Sequence, residues 1–235
     1  MKLAVVIPIY SRADGNSIGY LDRALHHISV QTYTDYHVYL IGDAYEKPEE
    51  ITELLTKYLF VTFENLPQSV ERDRYSLDPE KYHLWCCGGV TPYNHGIDLA
   101  LRDGYEYICH HDYDDWWEPQ HLEYVNSVID PYQPAFICTL STYYGTHLPT
   151  IDIMHTPFGY SPRKGGCITS ATCVKYSEIP VRFRDVFKET GTAFPADADF
   201  WERLNHYMME NNKLGVIITS VTCHHDEEGY LMKSE

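Results

Sequence analysis

Residues 107–117 read Tyr-Ile-Cys-His-His-Asp-Tyr-Asp-Asp-Trp-Trp, a short apolar run that ends in three carboxylates within four positions. Carboxylates so close together repel one another and raise each other's pKa, which favours a cation among them. Mg²⁺ and Mn²⁺ prefer oxygen ligands and often take one or two protein carboxylates together with a substrate phosphate. Asp112 and Asp114 alternate, so at the end of a strand both side chains point the same way. The stretch predicts a metal site, with a solvated acidic turn as the alternative.

The residues before this stretch predict a parallel sheet. Apolar runs typical of buried strands alternate with helical patterns in the order β-α-β-α-β, followed by a further helix and strand. The predicted strands are Leu3–Ile9, Tyr36–Ile41, Phe60–Phe63 and Glu106–His111, and the predicted helices are Tyr20–Gln31, Pro48–Leu59 and Thr91–Arg102. This order requires right-handed crossovers, and open α/β sheets bind ligands outside the carboxyl ends of their strands. The carboxylates are therefore expected at the ligand-binding edge.

The second half of the chain continues without a repeat or a linker. Its predicted elements are the helices Pro119–Val128 and Ala198–Met209 and the strands Ala135–Leu140, Cys167–Val174 and Leu214–Val221. Residues 64–87 are polar and irregular, and we predict mostly loop there. The pattern favours one α/β domain over residues 1–235.

The composition limits the classes of partner. The chain has 235 residues with 18 basic and 34 acidic side chains, a formal net charge of −16. Proteins that bind the phosphate backbone of nucleic acids use clustered Lys and Arg, so no nucleic-acid partner is expected for this acidic chain. No apolar run approaches the roughly 20 residues that span a bilayer, and no signal peptide opens the chain. The seven cysteines include no C-x-x-C pair and suit buried, reduced thiols, so we expect a cytoplasmic protein without a membrane span.

Five segments of the chain, in order, carry the pattern of a known family. They are Val5–Arg12, Asp43, Gly88–Gly96, Asp112–Leu122 and Ala196–Leu204. Together they resemble the family 2 glycosyltransferases, inverting enzymes of the GT-A fold. In that family the segments are V-V-I-P-x-Y-N-R, an acid that contacts the nucleotide base, G-x-x-x-A-R-N-x-G, the metal motif D-x-D-D-x-x-x-P-x-x-L, and E-D-x-D-L-W-x-R-L.

Three departures from the family pattern bear on the site. Tyr93 stands where the family has Arg, and Ala196 stands where it has Glu before the catalytic base. Asp43 is a single acid where many relatives have two. The first departure removes a positive contact to the nucleotide, unless another residue supplies it.

The resemblance implies a GT-A type nucleotide-diphospho-sugar transferase fold, with a Rossmann-like mixed, mainly parallel sheet flanked by helices. Residues 1–115 would form the nucleotide-sugar-binding half and residues 116–235 the acceptor-binding half. The implied reaction is a metal-dependent, inverting transfer of a sugar from a nucleotide-diphosphate sugar to a glycan or other hydroxyl acceptor. A UDP-sugar is the favoured donor, a GDP-sugar is the alternative, and Mn²⁺ or Mg²⁺ is the expected cofactor.

Three groups of site residues are expected besides the catalytic base. Those at the donor are Pro8, Tyr10, Arg12, Asp43, Asn94, Asp112 and Tyr113. Those at the metal are Asp114, Asp112 and His225. Trp116, Trp117 and Gly166 are expected at the acceptor or sugar, the tryptophans as stacking faces and the glycine in a basic loop. The alternatives for these last three are core packing and a plain surface turn.

The residue types suit glycosyl transfer by their chemistry as well. A diphosphate leaving group gains charge in the transition state, and a cation beside it stabilises that charge. The acceptor hydroxyl must lose a proton as it attacks, and Asp197 is the predicted general base. Asp199 is the alternative base, and helix capping is the alternative role of both carboxylates.

Three competing functions stay open from the sequence. A nucleotidyltransferase acting on sugar phosphates can share the half-sheet, but it normally has a Gly-rich basic loop after the first strand, where residues 10–15 supply one Gly and no Lys. A His-Asp metal phosphohydrolase would use the two His-His-Asp triplets, yet that architecture is all-helical. A catalytically inactive sugar-nucleotide-binding domain of the same fold is the third alternative.

Overall fold

The computed structural model describes residues 1–79, 81–150, 155–156 and 158–225. Its helices are α1 (Ser17–Ser29), α2 (Pro48–Leu54), α3 (Val70–Arg74), α4 (Tyr82–Cys87), α5 (Val90–Arg102), α6 (His121–Tyr132), α7 (Val186–Thr190) and α8 (Ala196–Glu210). Its strands are β1 (Leu3–Ile9), β2 (Tyr36–Gly42), β3 (Val61–Asn65), β4 (Tyr107–His110), β5 (Trp116–Trp117), β6 (Phe136–Tyr143), β7 (Thr146–Leu148), β8 (His155–Thr156), β9 (Gly159–Tyr160), β10 (Thr172–Lys175) and β11 (Gly215–His224).

The strands form one mixed, mainly parallel sheet in the order β3-β2-β1-β4-β10-β6-β11-β9-β8. β1 lies parallel to both β2 and β4, so Val5 has Val38 on one side and Cys109 on the other. β10 is antiparallel to both β4 and β6 and joins the two parallel parts of the sheet. The predicted α/β class and parallel first half are confirmed, and the all-helical architecture of a His-Asp phosphohydrolase is not the architecture of this chain.

Helix α5 packs closely on the first part of the sheet. A Cβ atom added at Gly96 would lie 2.5 Å from Val6 Cγ1 and 3.1 Å from Ile41 Cγ1. Only a residue without a side chain allows this approach. The packing fixes the start of α5, and with it Gly89 and Tyr93, beside the carboxyl end of β1.

Two predicted segments differ from the structure. Residues 64–87 are not mostly loop, because they contain α3 and α4, whose five and six residues are too short to show an apolar helical period. Cys167–Val174 is not one strand, since Thr169–Ala171 forms a 3₁₀ turn in which Ala171 N donates to Ile168 O at 3.1 Å. β1 has the predicted ends, and the remaining predicted helices and strands are present with shifted ends.

The short strand β5 was not predicted, and it brings the end of the described chain to the acidic stretch. Trp117 pairs with Cys223 and Trp116 with His224, antiparallel to β11. The backbone N–H of Glu118 also donates to Thr222 O at 2.9 Å. His225, the residue after β11, is thereby placed beside Asp115. Asp226 of the second His-His-Asp triplet lies outside the described residues.

Two composition-based expectations can be compared with the structure. All seven cysteines are buried free thiols, as predicted. Of the helices in the described ranges, none is both long enough and apolar enough to cross a membrane.

Candidate functional site

Two adjoining cavities open at the carboxyl ends of β1, β2 and β4. The smaller, of about 100 Å³, is lined by Pro8, Ile9, Tyr10, Asp43, Gly88, Gly89, Pro92, Tyr93, Asp112, Tyr113 and Asp114. The larger, of about 550 Å³, shares Gly88, Gly89, Tyr93 and Asp112 with it and extends to Asp197 and His225. The structure therefore brings most of the predicted donor residues to one cavity and the predicted base to its neighbour, with Asp112 on the boundary.

Asp43 supplies a free acceptor atom in the wall of the small cavity. Its Oδ2 accepts hydrogen bonds from Ser69 Oγ at 2.8 Å and from Arg72 Nε at 3.0 Å. Its Oδ1 is buried and has no hydrogen-bond partner among the described residues. Buried carboxylate oxygens are normally paired, so an unpaired one in a cavity wall suits a hydrogen-bond donor from a ligand.

Arg72 lies near the small cavity and was not predicted from the sequence. Its guanidinium carbon lies 3.8 Å from the centre of the Tyr10 ring, and Tyr10 packs edge-on against Tyr113 at 5.7 Å between ring centres. Arg72 thus covers an aromatic ring and pairs with Asp43 at once. It lies on α3, in the stretch predicted as loop, and no motif marks it.

Asp112 is held from two sides at the boundary of the cavities. The hydroxyl of Tyr93 donates to its Oδ1 at 2.7 Å, and its backbone N–H donates to Ser170 Oγ at 2.8 Å. Burial raises the pKa of Asp112 to about 8, and the charges of Asp115 and Asp114 add to the effect. Tyr93, which replaces the Arg of the family pattern, is therefore a partner of the acidic motif rather than of an anion.

Asp114 pairs with Arg12 across the first loop. Arg12 Nη1 lies 3.2 Å from Asp114 Oδ2, and Arg12 Nε lies 3.0 Å from Asp14. Burial and the charge of Asp115 raise the pKa of Asp114, although Arg12 acts in the opposite direction. Asp114 is thus an acidic neighbour of Asp112 whose charge Arg12 offsets in part.

His225, and not His224, faces the acidic motif. Its Nδ1 lies 2.9 Å from Oδ1 of Asp115, which is 1% exposed. Burial lowers the pKa of His225, but the hydrogen bond and charge of Asp115 outweigh it and raise the pKa to about 9. His224 instead stacks on Trp116 at 3.8 Å and hydrogen-bonds Glu118 at 3.0 Å.

The donor chemistry of these side chains fits a divalent cation. Within the described ranges, no three acidic, His or Cys side chains are already grouped closely enough to enclose one. Asp112 and Asp114 are nonetheless hard oxygen donors that repel one another. An ionised Asp115 can only accept a hydrogen bond, so it holds the Nδ1–H of His225, and Nε2 is the atom that could bind the ion once it gives up its proton. A carboxylate behind a histidine is the usual support of a metal-binding imidazole.

The two candidate bases at the start of α8 differ sharply. Asp197 is exposed at the wall of the large cavity. Partial desolvation by the surrounding protein atoms raises its pKa, although a 2.7 Å hydrogen bond from Ala198 N acts to lower it. Asp199 is buried, and its two oxygens accept hydrogen bonds from Arg184 at 2.7 Å and Arg203 at 2.6 Å. Although burial acts to raise the pKa of Asp199, both arginines lower it overall.

Six predicted residues line neither cavity, and two of them, Arg12 and Asp199, are held in ion pairs. The Asn94 amide exchanges hydrogen bonds of 2.8 and 3.0 Å with the backbone of Phe183. Trp117 is fully buried and stacks on His121 at 4.1 Å, so its ring is not available to a sugar. Trp116 lies under His224, and Gly166 lies between two lining residues, Gly165 and Cys167, without lining the cavity itself.

The comparisons with known proteins agree with this architecture. No family model matches the sequence. The chain is 33% identical over 244 residues to an uncharacterized glycosyltransferase of Acanthamoeba polyphaga mimivirus, an alignment that covers 97% of this chain and 95% of that protein.

Among solved structures, S. aureus TarS in complex with UDP superimposes with a TM-score of 0.65 at 15% identity, covering 95% of this chain and 60% of that one. The mannosyltransferase PcManGT of Pyrobaculum calidifontis, in complex with GDP-Man and Mn²⁺, gives 0.58 at 16% identity, covering 99% of this chain and 59% of that one. The chain thus spans about three fifths of either solved chain. At these identities the structural likeness shows the fold, which is of the GT-A type. The viral relative shows the family, since it is similar over nearly its whole length: the chain belongs to the glycosyltransferases, and family 2 of these enzymes fits it.

Proposed function

We propose that this glycosyltransferase moves a sugar from a nucleoside-diphosphate sugar to an acceptor hydroxyl with inversion at the anomeric carbon. The observation that carries the proposal is the junction of the two cavities at Asp112. The small cavity suits the nucleoside, the acidic motif suits the diphosphate, and the large cavity holds a carboxylate suited to general base catalysis.

The small cavity supports a uridine donor, with a GDP-sugar as the alternative. Uracil has one N–H flanked by two carbonyl oxygens, and the free Oδ1 of Asp43 beside the guanidinium of Arg72 offers an acceptor next to a donor. The TarS structure with UDP has the same fold.

Asp112 and Asp114 would hold a Mn²⁺ or Mg²⁺ ion, with Nε2 of His225 as a third ligand and Asp115 supporting that ring. When bound, such an ion supplies positive charge next to the diphosphate as it departs. Tyr93 orients Asp112 through its hydroxyl. Arg12 pairs with Asp114 and could pair with a phosphate oxygen of the donor instead. The PcManGT structure contains Mn²⁺ with its donor.

Asp197 is the proposed general base. Its carboxylate would accept the proton of the acceptor hydroxyl while the acceptor oxygen bonds to the anomeric carbon. In the same step, the bond between that carbon and the diphosphate oxygen breaks. One such displacement inverts the anomeric centre and releases the nucleoside diphosphate. The raised pKa of Asp197 improves its basicity, whereas the two arginines on Asp199 make that carboxylate a weak base.

A thermal-shift panel tests the donor site. The protein is heated with UDP, GDP, UDP-sugars and GDP-mannose, each with and without Mn²⁺. Ligand binding raises apparent stability by RT ln(1 + [L]/Kd), so weak ligands are visible at high concentration. We expect a Mn²⁺-dependent rise in Tm with UDP that exceeds the rise with GDP. Equal Tm values with and without every nucleotide would contradict the proposal.

A further inference from the structure

Exposed aromatic rings border the large cavity on α4. Trp85 lines the cavity and is 57% exposed, while Tyr82, three residues earlier, is 46% exposed. The two rings are nearly parallel, with an interplanar angle of 18° and 5.9 Å between their centres. The indole of Trp85 is thus held open to the cavity instead of being packed into the core, and a contiguous exposed apolar patch is a feature of binding surfaces.

A second element adds rings to the same cavity. Tyr143 ends β6 and Tyr144 follows it, and both line the cavity. Their rings are 4.6 Å apart, and Tyr143 lies 5.3 Å from the ring of His225. Tyr144 is 42% exposed. Aromatic faces therefore border the cavity from α4 and from the end of β6, and both elements meet it beside the site residues.

The charge of the cavity narrows the class of ligand. Its charged lining groups, among the residues that the structure describes, are Asp112, Asp115, Asp197 and His225, and that lining includes no Lys or Arg. A phosphorylated or carboxylated acceptor would find no Lys or Arg there, and His225 is already paired with Asp115. A neutral pyranose ring has an apolar C–H face for an aromatic ring and hydroxyl groups that donate to carboxylates.

We propose that Trp85 and Tyr144 form an acceptor subsite that takes an uncharged glycoside, with the C–H face of its pyranose ring against Trp85. Tyr82 supports the Trp85 ring from behind. The role as acceptor subsite rests on the proposed function, but binding of the sugar ring does not require the donor. The proposal also replaces the stacking role predicted for Trp116 and Trp117, because neither of those rings lines the cavity.

Saturation-transfer NMR with simple sugars tests the subsite. The probes are the methyl pyranosides of glucose, galactose and mannose, compared with glucuronate and glucose phosphate. We expect saturation of the C–H protons of at least one neutral glycoside with the wild-type protein. Trp85→Ala should weaken that binding by about tenfold or more, whereas Trp85→Tyr should retain most of it.

Two further variants separate a binding role from a structural one. Tyr144→Asn keeps a residue that tolerates the left-handed backbone at this position (φ 46°) and should also weaken glycoside binding. Tyr132→Ala removes a ring that is 59% exposed on α6, away from the cavity lining, and should leave binding unchanged. If Trp85→Ala fails to fold, Trp85→Tyr and Tyr144→Asn still give the comparison.

The outcomes distinguish this proposal from the proposed function. Unchanged glycoside binding in Trp85→Ala, no binding by any neutral glycoside, or preferred binding of the charged sugars would each overturn the subsite. A normal Mn²⁺-dependent UDP shift beside any of these results would leave the donor site intact. Glycoside binding that depends on Trp85, without any nucleotide shift, would support the subsite and contradict the proposed donor chemistry.

Discussion

At the scale of single residues, Asp114 is the most direct test of the metal proposal. Its carboxylate is half-buried in a motif whose repulsion a cation would relieve. We expect Asp114→Asn to remove the Mn²⁺-dependent part of the UDP thermal shift. Asp98→Asn, which removes a carboxylate that is 68% exposed on α5, is the matched control and should bind normally. An unchanged Mn²⁺-dependent shift in Asp114→Asn would rule out Asp114 as a ligand.

The two neighbouring histidines give a second matched pair. His225 hydrogen-bonds Asp115 of the acidic motif, whereas His224 stacks on Trp116 and pairs with Glu118. We expect His225→Ala to raise the Mn²⁺ concentration needed for half of the UDP shift by at least about 10-fold, because losing a residue that only supports a ligand already costs about 10- to 100-fold. His224→Ala should change it far less. Equal effects of the two substitutions would contradict the assignment.

The pH dependence of transfer reports on Asp197. A general base must be deprotonated, and protonation inactivates it. Because the pKa of Asp197 is raised by desolvation, the rate should fall as the pH drops through a value above the ordinary aspartate pKa of about 3.9. The measurement is kcat against pH at saturating donor. An acid limb at or below the ordinary aspartate pKa would place the base elsewhere.

At the scale of elements, Asp199 fixes the first turn of α8 and thereby Asp197. It joins Arg184, ahead of α7, to Arg203, one turn further along α8. Asp199→Asn should lower the free energy of unfolding at neutral pH by about 2 kcal/mol, the range for hydrogen bonds to charged groups. Urea unfolding at neutral pH, with Asp98→Asn as control, measures the difference.

The same carboxylate predicts how stability depends on pH. The folded-state pKa of Asp199 is lowered, so its contribution is complete above the unfolded pKa of about 3.9 and is lost as the pH falls through the folded value. The difference in unfolding free energy between wild type and Asp199→Asn should therefore shrink below pH of about 4. If the difference in unfolding free energy between wild type and Asp199→Asn stays constant into strong acid, it does not come from the two ion pairs of Asp199.

The elements that could be predicted from the sequence are those with a continuous apolar run or a long helical period. β1, β2 and β4 are buried on both faces, and α5 and α8 span 13 and 15 residues. The helices α3 and α4 were not predicted, because five or six residues are too few to show a helical period. Arg72 and Trp85 lie on these helices and were missed with them. β5 was not predicted, because its pairing with β11 depends on contacts between residues more than a hundred positions apart.

At the scale of the whole molecule, the sequence motifs predicted which residues lie at the ligand-binding edge of the sheet. They did not predict which hydrogen-bond partners each of these side chains has. Asp43, Asp112 and Asp114 follow strands, and the carboxyl ends of those strands converge by the rules of parallel sheets. Asn94 also matched a motif, yet its amide is satisfied by the backbone of Phe183. Sequence position does not show which polar groups are already paired, because that depends on tertiary contacts.

The central claim is that donor binding and base catalysis are separate functions of two joined cavities. The most direct measurement compares nucleotide release and nucleotide binding in wild type and Asp197→Asn, with a UDP-sugar, Mn²⁺ and a mixture of neutral methyl glycosides. We predict that the variant keeps the UDP thermal shift of the wild type and loses UDP release by about 10²- to 10⁴-fold, the usual contribution of a general base. Undiminished UDP release by Asp197→Asn would contradict the account.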